Sequence, residues 1–229
     1  MTQREADCLV TFGANCRTVV LPCAVEELDY ETSGDEARQA LGFCEDELVV
    51  LFLGRVDRKK GFPVLIPAFK RLITSGVEAR LLIVGPDSRG YAATVRRLVK
   101  QLNLNEQVEF RPPVQAADKV RLLRAADCFV LPSLNENLAR AAVEAMQQGL
   151  PCVISNNVYI CDEVKRAGAG LVCSYDVSEL FSALLTLAKD KATRASMGVA
   201  AVRLAKAFAP DALEDRYRLF LSAVTNPKA

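Results

Sequence analysis

The chain has 229 residues, of which 51% are apolar and 25% are charged, a composition typical of one or two compact soluble domains. Its net charge of +1 argues against a global field that would recruit nucleic acid or an anionic membrane. The absence of histidine excludes His-based catalytic triads, histidine general bases and ordinary His-containing zinc sites within this chain.

The eight cysteines are scattered without a Cys-x-x-Cys pair, and several lie in predicted strands, where cysteine behaves as a small hydrophobe. This usage favours a reduced protein over a disulfide scaffold. No apolar run approaches the roughly 18 residues that a membrane-spanning helix needs, and the N-terminus lacks the apolar stretch of a signal peptide. We therefore expect a cytoplasmic location.

The first part of the chain leads to one buried strand. Residues 1–16 are weakly patterned, and residues 17–22 (RTVVLP) predict a first short strand. A polar, acidic loop follows, and residues 35–41 predict a short helix that ends at Gly42. The continuous apolar run at residues 48–53 is typical of a parallel strand that is buried on both faces.

A basic loop, residues 54–61 (GRVDRKKG), comes directly after this strand. Its cations therefore lie at the carboxyl end of a parallel strand, where open α/β sheets bind their ligands. Arg55 and Lys60 are our candidates for contacting a ligand, while Arg58 and Lys59 are expected to face solvent. The alternative is an ordinary solvated turn.

Beyond this loop, short apolar runs alternate with helical patterns. Further strands are predicted where apolar runs begin, at Leu81, Gln107, Cys128, Cys152 and Gly170. Further helices are predicted from helical spacing over residues 62–73, 91–102, 120–126, 162–167, 176–188, 194–208 and 213–224. Pro67 is expected to bend the first of these helices or delay its start. The alternation predicts the α/β class, with one mostly parallel sheet flanked by helices.

Two common nucleotide-binding motifs are missing. The spacing of a P-loop, G-x-x-x-x-G-K-[ST], is not met, and no G-x-G-x-x-G follows a predicted strand. The missing motifs argue against a P-loop nucleotidase and a nicotinamide dehydrogenase.

The central unit of the chain runs from residue 130 to residue 155, as strand, loop, helix and strand. Its helical pattern begins at Leu138 and ends at Gly149, and two acids, Glu136 and Glu144, are eight positions apart. On one helix they would lie about 80° apart around the axis and about 12 Å apart along it. Glu136 would then lie at the start of the helix, and a solvated helix with an acid in its first turn is the alternative interpretation.

The motif in this unit is Pro-Ser-x-x-Glu, seven residues, Glu-Ala-Met and then Gly-x-Pro, over residues 132–151. It resembles the donor-site signature of retaining glycosyltransferases with the GT-B fold, of the family 4 or group 1 type. The basic loop resembles the same family, with Gly-Arg followed by Lys-Gly. The resemblance covers roughly residues 17–209 and implies a Rossmann-like domain that forms the C-terminal, donor-binding half of a GT-B enzyme.

This resemblance also implies a division of the chain and a larger enzyme. Residues 17–209 would be the donor-binding domain, and residues 210–229 a C-terminal helix and tail. The acceptor domain would lie upstream, and residues 1–16 are interpreted as a possible remnant of it. We therefore expect the isolated chain to bind a donor without transferring the sugar, because half a cleft cannot align donor and acceptor.

In the family that this chain resembles, an arginine and a lysine grip the diphosphate of a nucleoside diphosphate sugar, and these would be Arg55 and Lys60. Glu136 would lie beside the transferred sugar, and Glu144 would hold the ribose of the nucleotide. The helix start would bind the phosphates through backbone amides, which suits the physics of helix N-termini. Further donor-binding positions implied by the resemblance are Gly54, Asn137, Leu138 and Ala139.

In the same family the backbone after the strand that begins at residue 107 receives the nucleotide base, so the resemblance implies a base pocket lined by Arg111, Pro113 and Val114. An ordinary strand exit through two prolines is the alternative. The chain departs from the family pattern at Ala139, where many members have glycine. Because glycine allows a close approach of backbone and ligand, this change leaves the identity of the sugar open.

The resemblance implies a nucleotide-sugar donor and an acceptor that is a glycan, a lipid or a small molecule. No metal or other cofactor is expected, since Arg55 and Lys60 supply the charge that a metal would otherwise supply. No nucleic acid is expected as a partner, whereas peripheral association of the full-length protein with a membrane is a possibility. The alternatives are a sugar phosphorylase, a nucleotide-sugar epimerase, or a non-catalytic module that binds a nucleotide or a protein.

Overall fold

A parallel sheet of six strands forms the centre of the molecule in the computed structural model, which describes residue 11, residues 21–28 and residues 33–225. The strands are β1 (Leu48–Leu53), β2 (Ala79–Val84), β3 (Val108–Arg111), β4 (Cys128–Leu131), β5 (Cys152–Ser155) and β6 (Gly170–Cys173). Their order is β3-β2-β1-β4-β5-β6, and every neighbouring pair is parallel. The order reverses between β1 and β4, which is the point where doubly wound sheets open a crevice for ligands.

Helices cover both faces of this sheet. They are α1 (Gly34–Leu41), α2 (Phe62–Thr74), α3 (Tyr91–Gln101), α4 (Ala116–Ala125), α5 (Arg140–Gln147), α6 (Cys161–Ala167), α7 (Val177–Lys189), α8 (Lys191–Ala205) and α9 (Pro210–Thr225). Helix α2 packs against α3 and α7, α1 packs against α4, and α8 packs against α5 and α6. No helix within the described ranges combines the length and the apolar character needed to cross a membrane.

The core lies between the sheet and its helices. All residues of β1 and β4 are buried, because helices cover these central strands on both sides. The aromatic rings of Phe52 and Phe62 pack with their centroids 4.7 Å apart. Burial also raises the pKa of the Cys128 and Cys152 thiols and raises that of Cys173 to about 11, so these side chains stay neutral and pack as small hydrophobes.

At the opposite edge from the crevice, Asp127 joins three parts of the chain. Its Oδ2 accepts hydrogen bonds from the Val49 amide (2.8 Å) and from Nη1 of Arg38 (2.9 Å). Its Oδ1 lies 3.3 Å from Nη2 of Arg194. One carboxylate therefore ties α1, β1 and α8 to the start of β4.

The α/β class, the Rossmann-like sheet, the bounds of β1 and the starts of β4, β5 and β6 agree with the predictions. Strand β2 begins at Ala79, two residues before the predicted Leu81. Four predicted helix starts were wrong by two residues or more. Helix α4 begins at Ala116 and not at residue 120, and α8 begins at Lys191 and not at residue 194. Helix α5 begins at Arg140 and not at Leu138, and α9 begins at Pro210 and not at Leu213. Proline suits the first turn of a helix, where an amide hydrogen is not needed.

Pro67 does not delay the start of α2, which begins at Phe62 with a proline in its first turn. The strand predicted at residues 17–22 lies largely outside the described residues, and Leu21 and Pro22 are in irregular structure. The N-terminal segment, residues 1–16, lies outside them apart from residue 11.

Candidate functional site

The loops that follow β1 and β4 meet at the crevice where the strand order reverses. The Leu134 amide donates to the carbonyl of Lys59 at 2.7 Å. Gly61 adopts a left-handed conformation (φ 81°), and a Cβ atom there would lie 1.9 Å from the carbonyl oxygen of Pro132. Only glycine fits this approach, so the two loops lie in backbone contact.

Lys60 points into this crevice and contacts Glu136. Its ammonium meets Oε2 of the glutamate, and Lys60 as a whole is only 9% exposed. A short 3₁₀ turn at Arg58–Lys60 sets this direction, because Asp57 caps the turn by accepting from the Lys59 amide at 3.1 Å. Arg58 and Lys59 are exposed, as expected from the sequence.

A third loop, which follows β5, fixes the backbone of Glu136. The Glu136 amide donates to the carbonyl of Asn157 (3.2 Å), and the Tyr159 amide donates to the carbonyl of Glu136 (2.9 Å). Glu136 thereby pairs with Val158 as an isolated parallel bridge. These contacts use backbone atoms only, so no residue type in the sequence indicates them.

Glu136 therefore lies in a loop ahead of α5 and not on the helix. The expected 80° and 12 Å relationship with Glu144, which assumed one continuous helix, is wrong. The helix starts later because Ala139 takes the left-handed conformation (φ 52°, ψ 59°), which breaks the helical path. Asn137, which is exposed, and the buried Leu138 and Ala139 precede the first turn of α5.

Glu144 lies on α5 and pairs with Lys119 on α4. The lysine ammonium is 3.2 Å from each carboxylate oxygen, and Glu144 is 8% exposed. Sequence reasoning missed Lys119. Its partner is 25 positions away, and nothing in the spacing of α4 indicates that its lysine will reach an acid on α5.

The residues expected near the base lie after β3. The Arg111 guanidinium pairs with Glu109 (2.6 Å) and lies 5.9 Å from the ring centroid of Phe43. Pro113 is exposed and Val114 is half-buried, both ahead of α4. The Arg111 side chain is therefore engaged by its own strand and by the loop after α1.

Gly54 and Arg55 come directly after β1. The Gly54 amide continues the ladder by donating to the carbonyl of Val84 at 2.9 Å. Arg55 is exposed and lines a cavity of about 620 Å³ between the loops that follow β1 and β2. The structure thus brings Lys60 to Glu136 and Lys119 to Glu144, and it places Arg55 at a cavity that neither ion pair lines.

Within the described ranges, no group of three or more His, Cys, Asp or Glu side chains could hold a metal ion. The expectation of a metal-free site stays a prediction.

Comparison with known proteins gives consistent results along most of the chain. Residues 33–203 match the protein family described as Glycosyl transferases group 1. The chain is 31% identical over 218 residues to the D-inositol 3-phosphate glycosyltransferase of Kribbella flavida, covering 90% of this chain and 51% of that protein. It is 33% identical over 183 residues to the protein of the same name from Streptomyces avermitilis, covering 76% and 39%. The chain thus spans about half of the length of these relatives, or less.

Solved structures have the same fold. Sucrose-phosphate synthase (tll1590) from Thermosynechococcus elongatus superimposes with a TM-score of 0.85 at 28% identity, covering 97% of this chain and 58% of that one. Anabaena Alr3699/HepE, solved in complex with UDP and glucose, gives a TM-score of 0.85 at 22% identity, covering 97% and 61%.

Proposed function

This chain belongs to the glycosyl transferases group 1 family, as the nucleotide-sugar-binding, C-terminal half of a GT-B fold, and we propose that its crevice binds the donor of a retaining sugar transfer. The family resemblance inferred from sequence is thereby confirmed. The donor that we propose is a nucleoside diphosphate sugar, and HepE, which shares the fold, was solved with UDP and glucose.

The observation that carries this proposal is the ion pair between Lys60 and Glu136 at the point where the strand order reverses. A cation and a carboxylate side by side complement the two opposite charges that develop on a sugar donor when its glycosidic bond to phosphate breaks. The leaving diphosphate gains negative charge, and the sugar carbon gains positive charge. Charges that already lie at the crevice before the reaction need little rearrangement to stabilise such a transition state.

In the proposed mechanism, Lys60 leaves its contact with Glu136 in part and binds the departing diphosphate. Arg55, from the same loop, adds a second positive charge. Glu136 accepts hydrogen bonds from sugar hydroxyls and stabilises the oxocarbenium-like centre. The amides of Asn137, Leu138 and Ala139 are proposed to bind phosphate oxygens.

Glu144 is proposed to bind the ribose hydroxyls. Because Lys119 contacts both of its oxygens, a ribose would share the carboxylate with this lysine. Arg111, Pro113 and Val114 are proposed to border the base, most directly through the backbone, since the Arg111 guanidinium pairs with Glu109.

We further propose that the acceptor is bound mainly by the remaining half of a two-domain enzyme. The curated relatives are about twice as long as the region that they share with this chain, or longer. The chain alone is then expected to bind the donor nucleotide without transferring the sugar.

Isothermal titration calorimetry of the 229-residue chain with UDP, GDP and ADP tests the donor proposal. Binding of one nucleoside diphosphate, with weaker binding of its nucleoside, supports a donor site and identifies the base. If none of the three binds at millimolar concentration, the donor proposal is wrong for this chain.

A further inference from the structure

The segment that carries Glu136 lies against the end of β5, beyond the last matched pair of strand residues. This segment, residues 132–139, joins β4 to α5, and we call it the glutamate loop. Strands β4 and β5 pair in parallel as far as Leu131 and Ile154. The next residue after β4 is Pro132, whose nitrogen has no hydrogen to donate to β5. The glutamate loop therefore needs other contacts to hold it beside β5.

Ser155, the last residue of β5, supplies one of these contacts with its side chain. Its hydroxyl donates to the carbonyl of Ser133 in the glutamate loop. Both serines are 0% exposed, so solvent does not compete for this hydrogen bond. Removing the donor would leave the buried carbonyl without it, and a buried polar group that loses its partner retains the cost of its desolvation.

The hydroxyl of Ser133 does not fasten the loop in the same way. It is buried and has no hydrogen-bond partner in the parts of the chain that the structure describes. Ser133 is therefore held through its backbone, by the side chain of Ser155. Three residues of extended chain span at most about 11 Å, so the anchored carbonyl lies within that distance of Glu136 along the chain.

The residues that follow Ser155 hold Glu136 itself. The Val158 amide donates to the Ser155 carbonyl at 3.0 Å, which closes a tight turn at the end of β5. The two residues on either side of Val158 bond to the backbone of Glu136, through the carbonyl of Asn157 and the amide of Tyr159. Ser155 thus stands at the start of the turn that pairs with Glu136, and its hydroxyl joins this turn to the glutamate loop a second time.

The contact between Lys60 and Glu136 depends on where two separate loops place these residues. The 3₁₀ turn after β1 sets the direction of Lys60, as described above. The carboxylate of Glu136 is carried by a side chain with several rotatable bonds, so it is only as well placed as the backbone beneath it. A charge that stabilises a transition state has to be in position before the reaction, which makes support of this backbone part of the function.

We propose that Ser155 is a positioning residue for Glu136. Its hydroxyl holds the glutamate loop so that the carboxylate faces Lys60 in the empty crevice and the sugar of a bound donor. Ser155 is fully buried, so it acts through Glu136 and not through direct contact with a ligand in the crevice. Its role toward the sugar rests on the proposed function, whereas its role toward Lys60 rests on the contacts alone.

A double-mutant cycle on the Lys60–Glu136 pair, measured with and without the Ser155 hydroxyl, tests this role. Urea unfolding of the 229-residue chain, of Lys60→Met, of Glu136→Gln and of the double variant gives the coupling of the pair as a fold-change in the unfolding constant. We expect a coupling of about tenfold, within the range of residues in contact. The same cycle in the Ser155→Ala background should give about threefold or less, because the loosened loop holds the carboxylate less firmly against the ammonium.

The matched control is Ser75→Ala. The Ser75 hydroxyl also donates to a backbone carbonyl, that of Leu72 at 2.7 Å, but it lies at the far end of α2 from the crevice. Its loss should lower the stability and leave the coupling of Lys60 and Glu136 at about tenfold. The control separates a positioning role from an ordinary contribution to stability, since the latter lowers the midpoint without changing the coupling.

Binding of UDP gives a second measurement. Because Ser155 acts through Glu136, Ser155→Ala should change the UDP affinity in the same direction as Glu136→Gln and by no more. In the Glu136→Gln background, Ser155→Ala should have no further effect on UDP affinity beyond about 1.5-fold. Calorimetric titration of the three variants with UDP measures both effects.

If Ser155→Ala does not fold, Ser155→Cys takes its place, because it keeps the shape of serine with only a weak donor. An unchanged coupling without the Ser155 hydroxyl, or an equal fall in Ser75→Ala, would overturn the positioning role. An effect of Ser155→Ala on UDP binding that persists in Glu136→Gln would overturn it as well. The unfolding measurements contain no nucleotide, so failure of UDP, GDP and ADP to bind removes the donor proposal and leaves the role of Ser155 toward Lys60 to be decided by the coupling.

Discussion

Lys60 and Glu136 are 76 positions apart in the chain, yet the ammonium of one contacts the carboxylate of the other across the crevice between β1 and β4. Each residue lies in a loop that follows a fully buried strand, so the sheet fixes the position at which each loop begins. Any diphosphate that approaches Lys60 has to compete with Glu136 for the ammonium. This competition gives two tests of the crevice.

Lys60→Ala should weaken UDP binding about tenfold or more, because it removes a charge-assisted contact to the diphosphate. Uridine binding should change by less than about twofold, since the nucleoside lacks the phosphates that Lys60 is proposed to contact. Titration calorimetry of both ligands checks this. The control is Lys59→Ala, an exposed lysine of the same loop, for which a smaller loss is expected. Equal losses for UDP and uridine would place the effect of Lys60 outside the diphosphate.

Glu136→Gln should bind UDP about two- to fivefold more tightly than wild type, because the neutral amide no longer competes for Lys60. Glu106→Gln, which removes the same charge from an exposed position, is the control for net charge and should have little effect. Weaker UDP binding in Glu136→Gln would show that the carboxylate supports the diphosphate site and does not compete with it.

Ala139→Gly should stabilise the fold by about 0.5–1 kcal/mol. Relief of the left-handed strain contributes about 1–2 kcal/mol, and the greater freedom of glycine in the unfolded chain offsets part of it. The thermal midpoint should rise by about 1–3 °C. Ala141→Gly, inside α5, should instead lower it, because glycine costs about 0.5–1 kcal/mol within a helix. Destabilisation by both variants would show that other contacts of Ala139 outweigh its strain.

Asp127→Ala should destabilise the fold by about 2–4 kcal/mol, since it leaves Arg38, Arg194 and the Val49 amide without their shared acceptor. Urea denaturation measures this change. Asp46→Ala is the matched control: it breaks an ion pair with Lys191 that is highly exposed on both sides, and it should cost less than about 0.5 kcal/mol. If Asp127→Ala destabilised the fold by as little as Asp46→Ala, water would be replacing Asp127 as the acceptor for Arg38, Arg194 and the Val49 amide.

Hydrogen bonds from the Lys59 amide and the Ser88 hydroxyl lower the pKa of Asp57, which predicts a dependence of stability on pH. A carboxyl group whose folded pKa lies below its unfolded value stabilises the fold fully above the unfolded value, near 3.8, and loses this contribution as the pH falls through the folded value. Asp57→Asn should therefore be less stable than wild type at pH 6, and the difference should shrink as the pH drops below 3.8. Thermal midpoints of both proteins from pH 6 to pH 3 measure it, and a constant difference would contradict the assignment.

The central strands and the position of the basic loop follow from patterns that are visible in the sequence. β1 and β4 are continuous apolar runs because both of their faces are covered, and such runs have clear ends. The basic loop is predictable for the same reason, since its position after β1 is fixed by the end of the apolar run.

Other parts of the site depend on packing that no local pattern records. Ala139 takes a left-handed conformation that its residue type does not indicate, so helical spacing alone placed the start of α5 two residues too early. Lys119 meets Glu144 only because the fold brings the ends of two side chains together that are 25 positions apart in the chain.

Gly61 is not among the residues that we propose to bind the donor, yet it sets how closely the loops after β1 and β4 approach each other. The Pro132 carbonyl oxygen occupies the space where the first carbon of a side chain would stand. A methyl group at this position would clash with the Pro132 carbonyl, so the two loops would have to move apart and Lys60 would move away from Glu136. The distance between the Lys60 ammonium and the Glu136 carboxylate therefore depends on position 61 having only a hydrogen atom as its side chain. Substitution of Gly61 should be the least tolerated change in the loop.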